Sequence, residues 1–189
     1  MTFVRRTFPT LSALCLLAAC GGGGSDNPAA DYSSDAAGAD RLTAETASLT
    51  QTAAASMPTT GRAEYDGVVG MAFGSTPTTL SSAEMLGEVD LTANFATGQI
   101  TGEFDDFNTA AGQELNGTLR VSNGQIVGNA FSADIAGNLT GTTSAPGAVS
   151  GSVSGDFLGT NASAIEGTGT ASSTAGDLGL VFVGTLDRD

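Results

Sequence analysis

The acidic side chains of this sequence are its candidates for binding a ligand or a metal ion. Glu88 and Asp90 alternate with apolar residues in one predicted strand, and Glu103 and Asp105 do the same in the next. Because alternate residues of a strand point to one side of a sheet, all four share the polar face. This face could bind a divalent cation or a basic partner protein. A solvated acidic surface without a ligand is the simpler interpretation.

The pairing of these carboxylates depends on the connection between the two strands. The apolar faces align only if the connection contains an even number of residues. Two residues would place Asp90 opposite Asp105, and four would place Asp90 opposite Glu103 and Glu88 opposite Asp105. Either register sets like charges against each other, which destabilises a sheet. Calcium sites usually need more ligands in a tighter arrangement, so no metal site is assigned.

Most other chemistry is excluded by composition. The chain has no His, and its two cysteines are Cys15 and Cys20. Because Cys15 lies within the apolar run of a predicted export signal, we expect Cys20 to be the only cysteine of the mature protein. Ser-His-Asp and Cys-His catalysis and the usual zinc sites are thereby excluded, and haem would have only Met or Tyr as ligands. The glycine run after Cys20 follows no strand and precedes no Gly-Lys-Ser/Thr, so it is not a phosphate loop. The sequence predicts a protein that is not an enzyme and has no cofactor.

Residues 1–19 are predicted to be a lipoprotein signal peptide. Arg5 and Arg6 precede an apolar run that is too short for a membrane span. The end of this segment, Leu17-Ala18-Ala19-Cys20, resembles the bacterial lipobox, in which the cysteine is lipidated and begins the mature protein. We expect acyl chains on Cys20 to anchor the protein in the membrane. In enteric bacteria, an aspartate directly after the lipidated cysteine retains a lipoprotein at the inner membrane, and here Gly21 stands at that position. We therefore expect the outer membrane. Which of its leaflets holds the lipid, and so whether the protein faces the cell surface, is left open.

Residues 20–60 are predicted to be a disordered tether. The segment consists mainly of Gly, Ala, Ser, Thr and Asp. Its alanine content allows a transient helix over residues 41–56, which only Leu42 and Leu49 could anchor. A flexible coil of this length has an end-to-end distance of roughly 35 Å. From Cys20 onward, four arginines stand against all 20 acidic residues, a net charge of −16. This charge disfavours nucleic acid and anionic membrane surfaces and favours basic partners or cations.

Residues 61–189 show the period-two alternation of β-strands. Eight such strands, with no helical pattern between them, predict an all-β fold: an eight-stranded antiparallel, mainly up-and-down β-barrel, whose closure removes exposed edges. The predicted inward sets are Tyr65, Gly67, Val69, Met71 and Phe73; Val89, Leu91, Ala93 and Phe95; Ile100, Gly102 and Phe104; Leu115, Gly117, Leu119 and Val121; Val127, Phe131, Ala133 and Ile135; Val149, Gly151, Val153, Gly155 and Phe157; Ile165, Gly167, Gly169 and Ala171; and Leu180, Phe182, Gly184 and Leu186.

Two turns are predicted in detail. An odd turn at residues 122–124 with Gly124 in the left-handed conformation would let Val121 and Val127 share the apolar face. The stretch 155–169 is predicted to be a hairpin that turns at residues 159–161, with Phe157 and Ile165 pointing inward.

The alternation also allows a transmembrane barrel, which would turn its apolar face to lipid and carry aromatic girdles. Here Trp is absent, and the polar face is too acidic for a narrow lumen. On the apolar face phenylalanine alternates with glycine, which suits packing inside a small barrel. We therefore predict a soluble barrel filled by its own side chains.

Two stretches carry a family resemblance: Ile126–Ser132, which reads Ile-Val-Gly-Asn-Ala-Phe-Ser, and Gly155–Gly169. They resemble the β-barrel domain of transferrin-binding protein B and its relatives among bacterial surface lipoproteins, which include factor H-binding protein. In that family a strand reading Gly-Asn-Gly-Phe-Ser precedes a Gly-x-Phe-x-Gly-Pro-x-Ala turn and a Gly-Gly strand. The matching positions here are Gly155, Phe157, Gly159, Ala162 and Gly167.

The departures from that pattern limit what the resemblance implies. Thr160 stands where proline is usual, Glu166 replaces the first glycine of the pair, and Val183 interrupts the final Phe-Gly. The resemblance covers residues 61–187, a single barrel, and its motifs are turn and packing positions. The second lobe and the handle domain of the family are missing from this sequence. The resemblance therefore implies the fold, and transferrin binding is not carried over.

Together these observations predict a non-enzymatic outer-membrane lipoprotein whose soluble barrel binds a partner protein or a solute through its loops and acidic face. One alternative is a small-molecule carrier that uses the barrel interior. Another is a structural envelope protein without a specific ligand. The expected partners are the membrane, through the lipid on Cys20, and a basic protein or a solute, but no nucleic acid. The protein is expected to be a monomer.

Overall fold

Eight long strands form a closed antiparallel barrel. The computed structural model describes residues 27–187, so the predicted signal peptide and Cys20 lie outside the described residues. Two short 3-10 helices, Ala54–Ser56 and Leu80–Ser82, lie in connecting segments. The helix and strands are α1 (Pro28–Thr46), β1 (Arg62–Phe73), β2 (Met85–Asn94), β3 (Gln99–Thr109), β4 (Glu114–Leu115), β5 (Leu119–Val127), β6 (Ala130–Leu139), β7 (Gly147–Leu158), β8 (Ala164–Ser173) and β9 (Gly176–Leu186).

The strand order is that of an up-and-down barrel. The neighbours are β2, β1, β9, β8, β7, β6, β5 and β3 in turn, and β3 pairs back with β2 to close the sheet. The two-residue β4 pairs with the end of β3. Every long strand thus pairs antiparallel with both of its neighbours. The predicted eight-stranded antiparallel barrel is confirmed.

The barrel interior is filled by the predicted apolar faces. Apart from Val127, the large side chains of these faces are buried in one core or packed against it. Phe157 lies near the centre, with its ring centroid 5.4 Å from that of Phe131, 5.6 Å from that of Phe95 and 6.0 Å from that of Tyr65. Phe107, which lies in none of the predicted sets, is fully buried as well. The core therefore leaves little room for a ligand.

Phenylalanine packs where glycine leaves space, as the alternation predicts. A Cβ atom placed on Gly167 of β8 would lie 2.3 Å from the ring of Phe182. Because carbon atoms pack at about 3.5–4.0 Å, no side chain fits there without displacing the ring. The hairpin of β7 and β8 is also confirmed: Phe157 pairs with Ile165, and both are fully buried.

The predicted turn at residues 122–124 is wrong. Strand β5 continues through Asn123 and Gly124, and a bulge shifts its register against β6 between Ser122 and Gln125. Asn123 has a φ of 54°, the left-handed conformation that a bulge also accommodates. The chain turns instead at residues 128–129, between β5 and β6. Val127 is consequently 76% exposed and does not face the core.

A helix occupies much of the segment predicted to be disordered. The helix α1 begins with Pro28 in its first turn, where the missing N–H costs nothing, and the Asn27 side chain accepts a hydrogen bond from the Ala30 N–H at 3.4 Å. Its less exposed side chains recur at helical spacing, at Tyr32, Ala36, Ala39 and Leu42. They form one stripe along the helix. Within residues 27–187, no helix is long and apolar enough to cross a membrane.

The stripe of α1 packs on the outside of the barrel wall. Its partners include the outward-facing Val68 of β1, Leu86 of β2 and Val183 of β9, which form a second buried cluster with Ala39. The prediction of disorder is wrong for residues 28–46. The segment has few apolar groups of its own, but the barrel wall supplies the other half of the contact, which composition does not reveal.

The chain after α1 is also held against the barrel, at the end where β7 meets β8. The Thr52 N–H donates to the Phe157 carbonyl at 2.8 Å, and the Thr52 hydroxyl donates to the Gly159 carbonyl at 2.7 Å. Gln51 forms an isolated antiparallel bridge with Leu158. Disorder is therefore also wrong for residues 50–52, because the polar groups at this barrel end offer hydrogen-bond partners that the sequence does not reveal.

Candidate functional site

The four predicted carboxylates lie on the outer wall, on strands β2 and β3. Asp90 is opposite Glu103, and Glu88 is opposite Asp105. The connection between the strands comprises residues 95–98, so the four-residue alternative is the one observed. The alternation of each strand, which buries Val89 and its apolar neighbours, turns these carboxylates outward.

Three of the four carboxylates converge. One oxygen from each of Glu88, Asp90 and Asp105 lies within 4.8 Å of the others. Glu103 stands apart from this group and faces Arg120 of β5 across the sheet. Ca²⁺ takes six to eight oxygen ligands, so three partly exposed carboxylates form an incomplete cation site. A basic protein surface, which can place several positive charges along the wall, fits the arrangement better.

The cluster has one further member that was not predicted from the sequence. Asp66 of β1 lies opposite Asp90, on the other side of β2 from Glu103. The alternation of β1 already turned Asp66 outward, but its register against β2 could not be read from the sequence. We call Asp66, Glu88, Asp90, Glu103 and Asp105 the acidic face. Part of it lines a depression of about 610 Å³ on the wall, with Arg120 at one side.

Partial burial and mutual repulsion raise the pKa values of two carboxyls at the centre of the face. For Glu88, burial is the largest cause, followed by the negative charges of Asp106 and Asp90. For Asp105, burial again comes first, followed by the charges of Asp90 and Glu103. Burial and like charges both disfavour the ionised form. Keeping these carboxylates ionised on the wall therefore lowers the stability of the fold.

The pKa values of two neighbouring carboxyls are also raised. Burial raises the pKa of Asp66, and the charges of Asp187 and Asp90 raise it further. On α1, burial raises the pKa of Asp35, although a hydrogen bond with Asn108 opposes the shift. The charge of Asp35 also contributes to the raised pKa of Glu88. The negative potential therefore extends from the wall to the helix.

The raised pKa values predict that stability increases as the pH falls. A carboxyl whose pKa is higher in the folded state stabilises the fold fully below its unfolded pKa, and this contribution is lost as the pH rises through the folded pKa. We expect the free energy of unfolding to decrease as the pH rises from about 4, near the unfolded pKa values of these carboxyls, to about 7, and the change is small because solvent screens groups this exposed. Urea denaturation across this range measures it.

The matched variants for this experiment are Glu88→Gln and Glu114→Gln, the latter at an exposed position on β4. At low salt, Glu88→Gln is expected to raise the free energy of unfolding by about 0.2–1 kcal/mol and to flatten the pH dependence. The gain shrinks at high salt because salt screens repulsion. Equal effects of the two variants would show that repulsion within the face is not the cause.

Comparison with known proteins agrees with the fold. The family model for the C-lobe and N-lobe beta barrels of Tf-binding protein B matches residues 57–185. Solved structures with the same barrel include a mutant transferrin-binding protein B from Haemophilus parasuis Hp5, with 20% identity and a TM-score of 0.50 over 74% of this chain and 29% of that one. Isotype 1 transferrin-binding protein B from serogroup B Neisseria meningitidis gives 18% identity and a TM-score of 0.50 over 72% of this chain and 28% of that one.

This chain thus spans less than a third of each of these two structures, and at these identities the likeness shows the fold alone. No curated protein matches the chain. The family model covers most of the sequence and nearly the whole barrel, from just before β1 to the end of β9. The chain therefore belongs to the family of C-lobe and N-lobe beta barrels of Tf-binding protein B.

Proposed function

We propose that this chain is a non-enzymatic outer-membrane lipoprotein whose barrel binds a basic partner protein through the acidic face. The observation that carries the proposal is the convergence of Glu88, Asp90 and Asp105, with Asp66 alongside, on one side of the wall. Removal of residues 1–19 and lipidation of Cys20 would tether residues 20–60 and the barrel, residues 61–189, to the envelope.

The acidic face is hard to explain by folding alone. Like charges lie opposite each other at two successive positions of β2 and β3, and again between β1 and β2. Each such pair destabilises the sheet. Residues that cost stability are common where function requires them, because selection holds proteins only above a stability threshold. The negative charge of the face also attracts a positively charged protein surface over a distance, and this attraction speeds association.

The relatives support a binding role in general terms. The solved neighbours are transferrin-binding proteins by name, and this chain shares one of their barrels. Transferrin itself is not proposed as the partner, since the chain covers only 28–29% of those structures. The carrier alternative is disfavoured because the rings of Phe104, Phe131, Phe157 and Phe182 occupy the barrel interior.

Affinity capture tests the proposal. The lipid-free chain, residues 21–189, is used as bait against envelope extracts and culture medium at low and high salt. The starting point retains α1, which packs on the wall. We expect one or more basic proteins to be enriched at low salt. The triple variant Glu88→Gln, Asp90→Asn, Asp105→Asn should weaken the captured interaction about tenfold, since three rim charges contribute roughly 0.5 kcal/mol each.

The control is Glu45→Gln, Glu114→Gln, Glu166→Gln, which removes the same amount of charge from exposed positions elsewhere. If both triple variants capture the partner equally, binding does not use the acidic face. If wild-type protein enriches nothing, the structural role in the envelope becomes the better interpretation.

A further inference from the structure

We propose that α1 is a strap that holds the barrel upright on the membrane, with one defined end toward the lipid. The proximal end comprises the connections at residues 74–84, 110–118, 140–146 and 174–175. The distal end comprises those at residues 95–98, 128–129 and 159–163. This inference rests on the proposed lipidation of Cys20 and adds an orientation to it.

The N-terminus of α1 lies at the proximal end. A Cβ atom placed on Gly112 would lie only 2.8 Å from the Cβ atom of Ala29, so the first turn of the helix touches the connection at residues 110–118. One turn later, the Tyr32 hydroxyl donates a hydrogen bond to the carbonyl of Ala83, in the connection at residues 74–84.

The C-terminus of α1 leads to the distal end. The side chain of Leu49 lies close to Gly159, where an added Cβ would be 3.5 Å from its Cδ1 atom. The Gly159 N–H donates to the Thr50 carbonyl at 2.8 Å. The chain therefore enters at the proximal end, follows the wall, and begins β1 at the distal end. A 19-residue helix is about 28 Å long, close to the height of about 30 Å for tilted strands of 12 residues.

Packing and hydrogen bonds hold the strap along its length. Ala39, at the middle of α1, is fully buried against the wall beside Val68, Leu86 and Val183. These three apolar side chains point outward, and α1 covers them. Near the end of the helix, Thr46 is buried as well. The strap is thus in contact with the barrel from its first turn to its last.

The docked strap leaves a short link to the anchor. Pro28 is eight residue-to-residue steps from Cys20, and eight steps span at most about 28 Å. The proximal end is therefore confined near the membrane, and the distal end points away from it. If α1 were released and unfolded, 30 steps would lead from Cys20 to Thr50, a chain that spans up to about 100 Å and permits any orientation.

Energy transfer to a membrane measures the orientation. The full lipidated chain is reconstituted in vesicles of phosphatidylethanolamine and phosphatidylglycerol that carry a rhodamine-labelled lipid. A donor dye is attached to Ala175→Cys at the proximal end or to Ala96→Cys at the distal end, both exposed alanines. Since lipidation consumes the thiol of Cys20, only the introduced cysteine reacts. We expect transfer from the proximal dye to be roughly twice that from the distal dye, because the ends are about 30 Å apart.

Two variants test whether the strap causes the difference. Ala39→Glu places a charge in the contact with the wall, whereas Ala37→Glu places the same charge on the exposed side of the same helix. The first is expected to abolish the difference between the dyes, and the second to preserve it. Inserting about 20 Gly/Ser residues after Gly24 changes only a position outside the described residues and raises the maximal span of the link from about 28 Å to about 95 Å. This insertion should also reduce the difference.

The possible outcomes separate the two proposals. Failure of the wild-type chain to float with the vesicles would contradict the lipid anchor. Flotation with equal transfer from both dyes would overturn the orientation. A difference that persists in Ala39→Glu and after the insertion would overturn the role of α1 as the strap.

Discussion

Replacing Phe157 with alanine is expected to lower the free energy of unfolding by about 3–5 kcal/mol. Phe157 is fully buried, and its ring meets three others, those of Tyr65, Phe95 and Phe131. Alanine removes both the burial of the ring and its contacts, and the strands of a closed barrel cannot collapse inward to fill the cavity. The expected change in melting temperature is a decrease of roughly 6–20 °C.

Urea denaturation of the lipid-free chain measures the effect, with Phe95→Ala as the matched control. Phe95 lies at the distal end of the barrel and is only partly buried, so its removal should cost clearly less. A loss below about 1 kcal/mol for Phe157→Ala would mean that the barrel repacks freely, contrary to a close-packed core. Such a result would also reopen the interior as a ligand cavity.

Replacing Gly102 with alanine is expected to lower the free energy of unfolding by about 2–5 kcal/mol. Gly102 of β3 has a φ of 156°, and a Cβ atom there would lie 1.9 Å from the Asp90 carbonyl oxygen. The side chain would force β3 away from the backbone of β2. Gly102 also adjoins a register shift between β3 and β5, so local twist and close approach coincide at this residue.

The control for Gly102→Ala is Thr101→Ala, at the preceding exposed position of the same strand, which should change stability by less than about 1 kcal/mol. Because Gly102 directly precedes Glu103 in β3 and approaches the Asp90 carbonyl of β2, the variant should also disturb the acidic face. If Gly102→Ala unfolds at the same urea concentration as Thr101→Ala, the close contact between β2 and β3 is not maintained in solution.

The barrel was predictable because its signals are local. In β7 and β8, glycine and apolar residues alternate with polar ones, so each strand reveals its own inward face without reference to the rest of the chain. Phe157 and Ile165 were predicted to point inward on the basis of this alternation, and the folded hairpin pairs them across the connection at residues 159–163. Closure followed from the number of strands and the absence of a helical pattern between them.

The departures from the prediction come from contacts between distant residues. Asn123-Gly124 suits a turn and a bulge equally well, and only the pairing of β5 with β6 selects the bulge. Apolar residues break the alternation at Val68-Val69 in β1, at Met85-Leu86 in β2 and at residues 180–183 in β9, and these breaks were the available signal that something covers the outer wall. What covers it, α1, could not be read from a segment with so few apolar residues of its own.

The acidic face was also predictable in part. Alternation alone turned Glu88, Asp90, Glu103 and Asp105 outward and limited their pairing to two registers. The folded barrel selected the four-residue connection and brought Asp66 beside Asp90. The strands and their inward faces can thus be read from the sequence, since side-chain alternation is a property of each strand. The docking position of α1 and the convergence of the carboxylates cannot, because both depend on residues far apart in the chain whose relative positions exist only in the closed barrel.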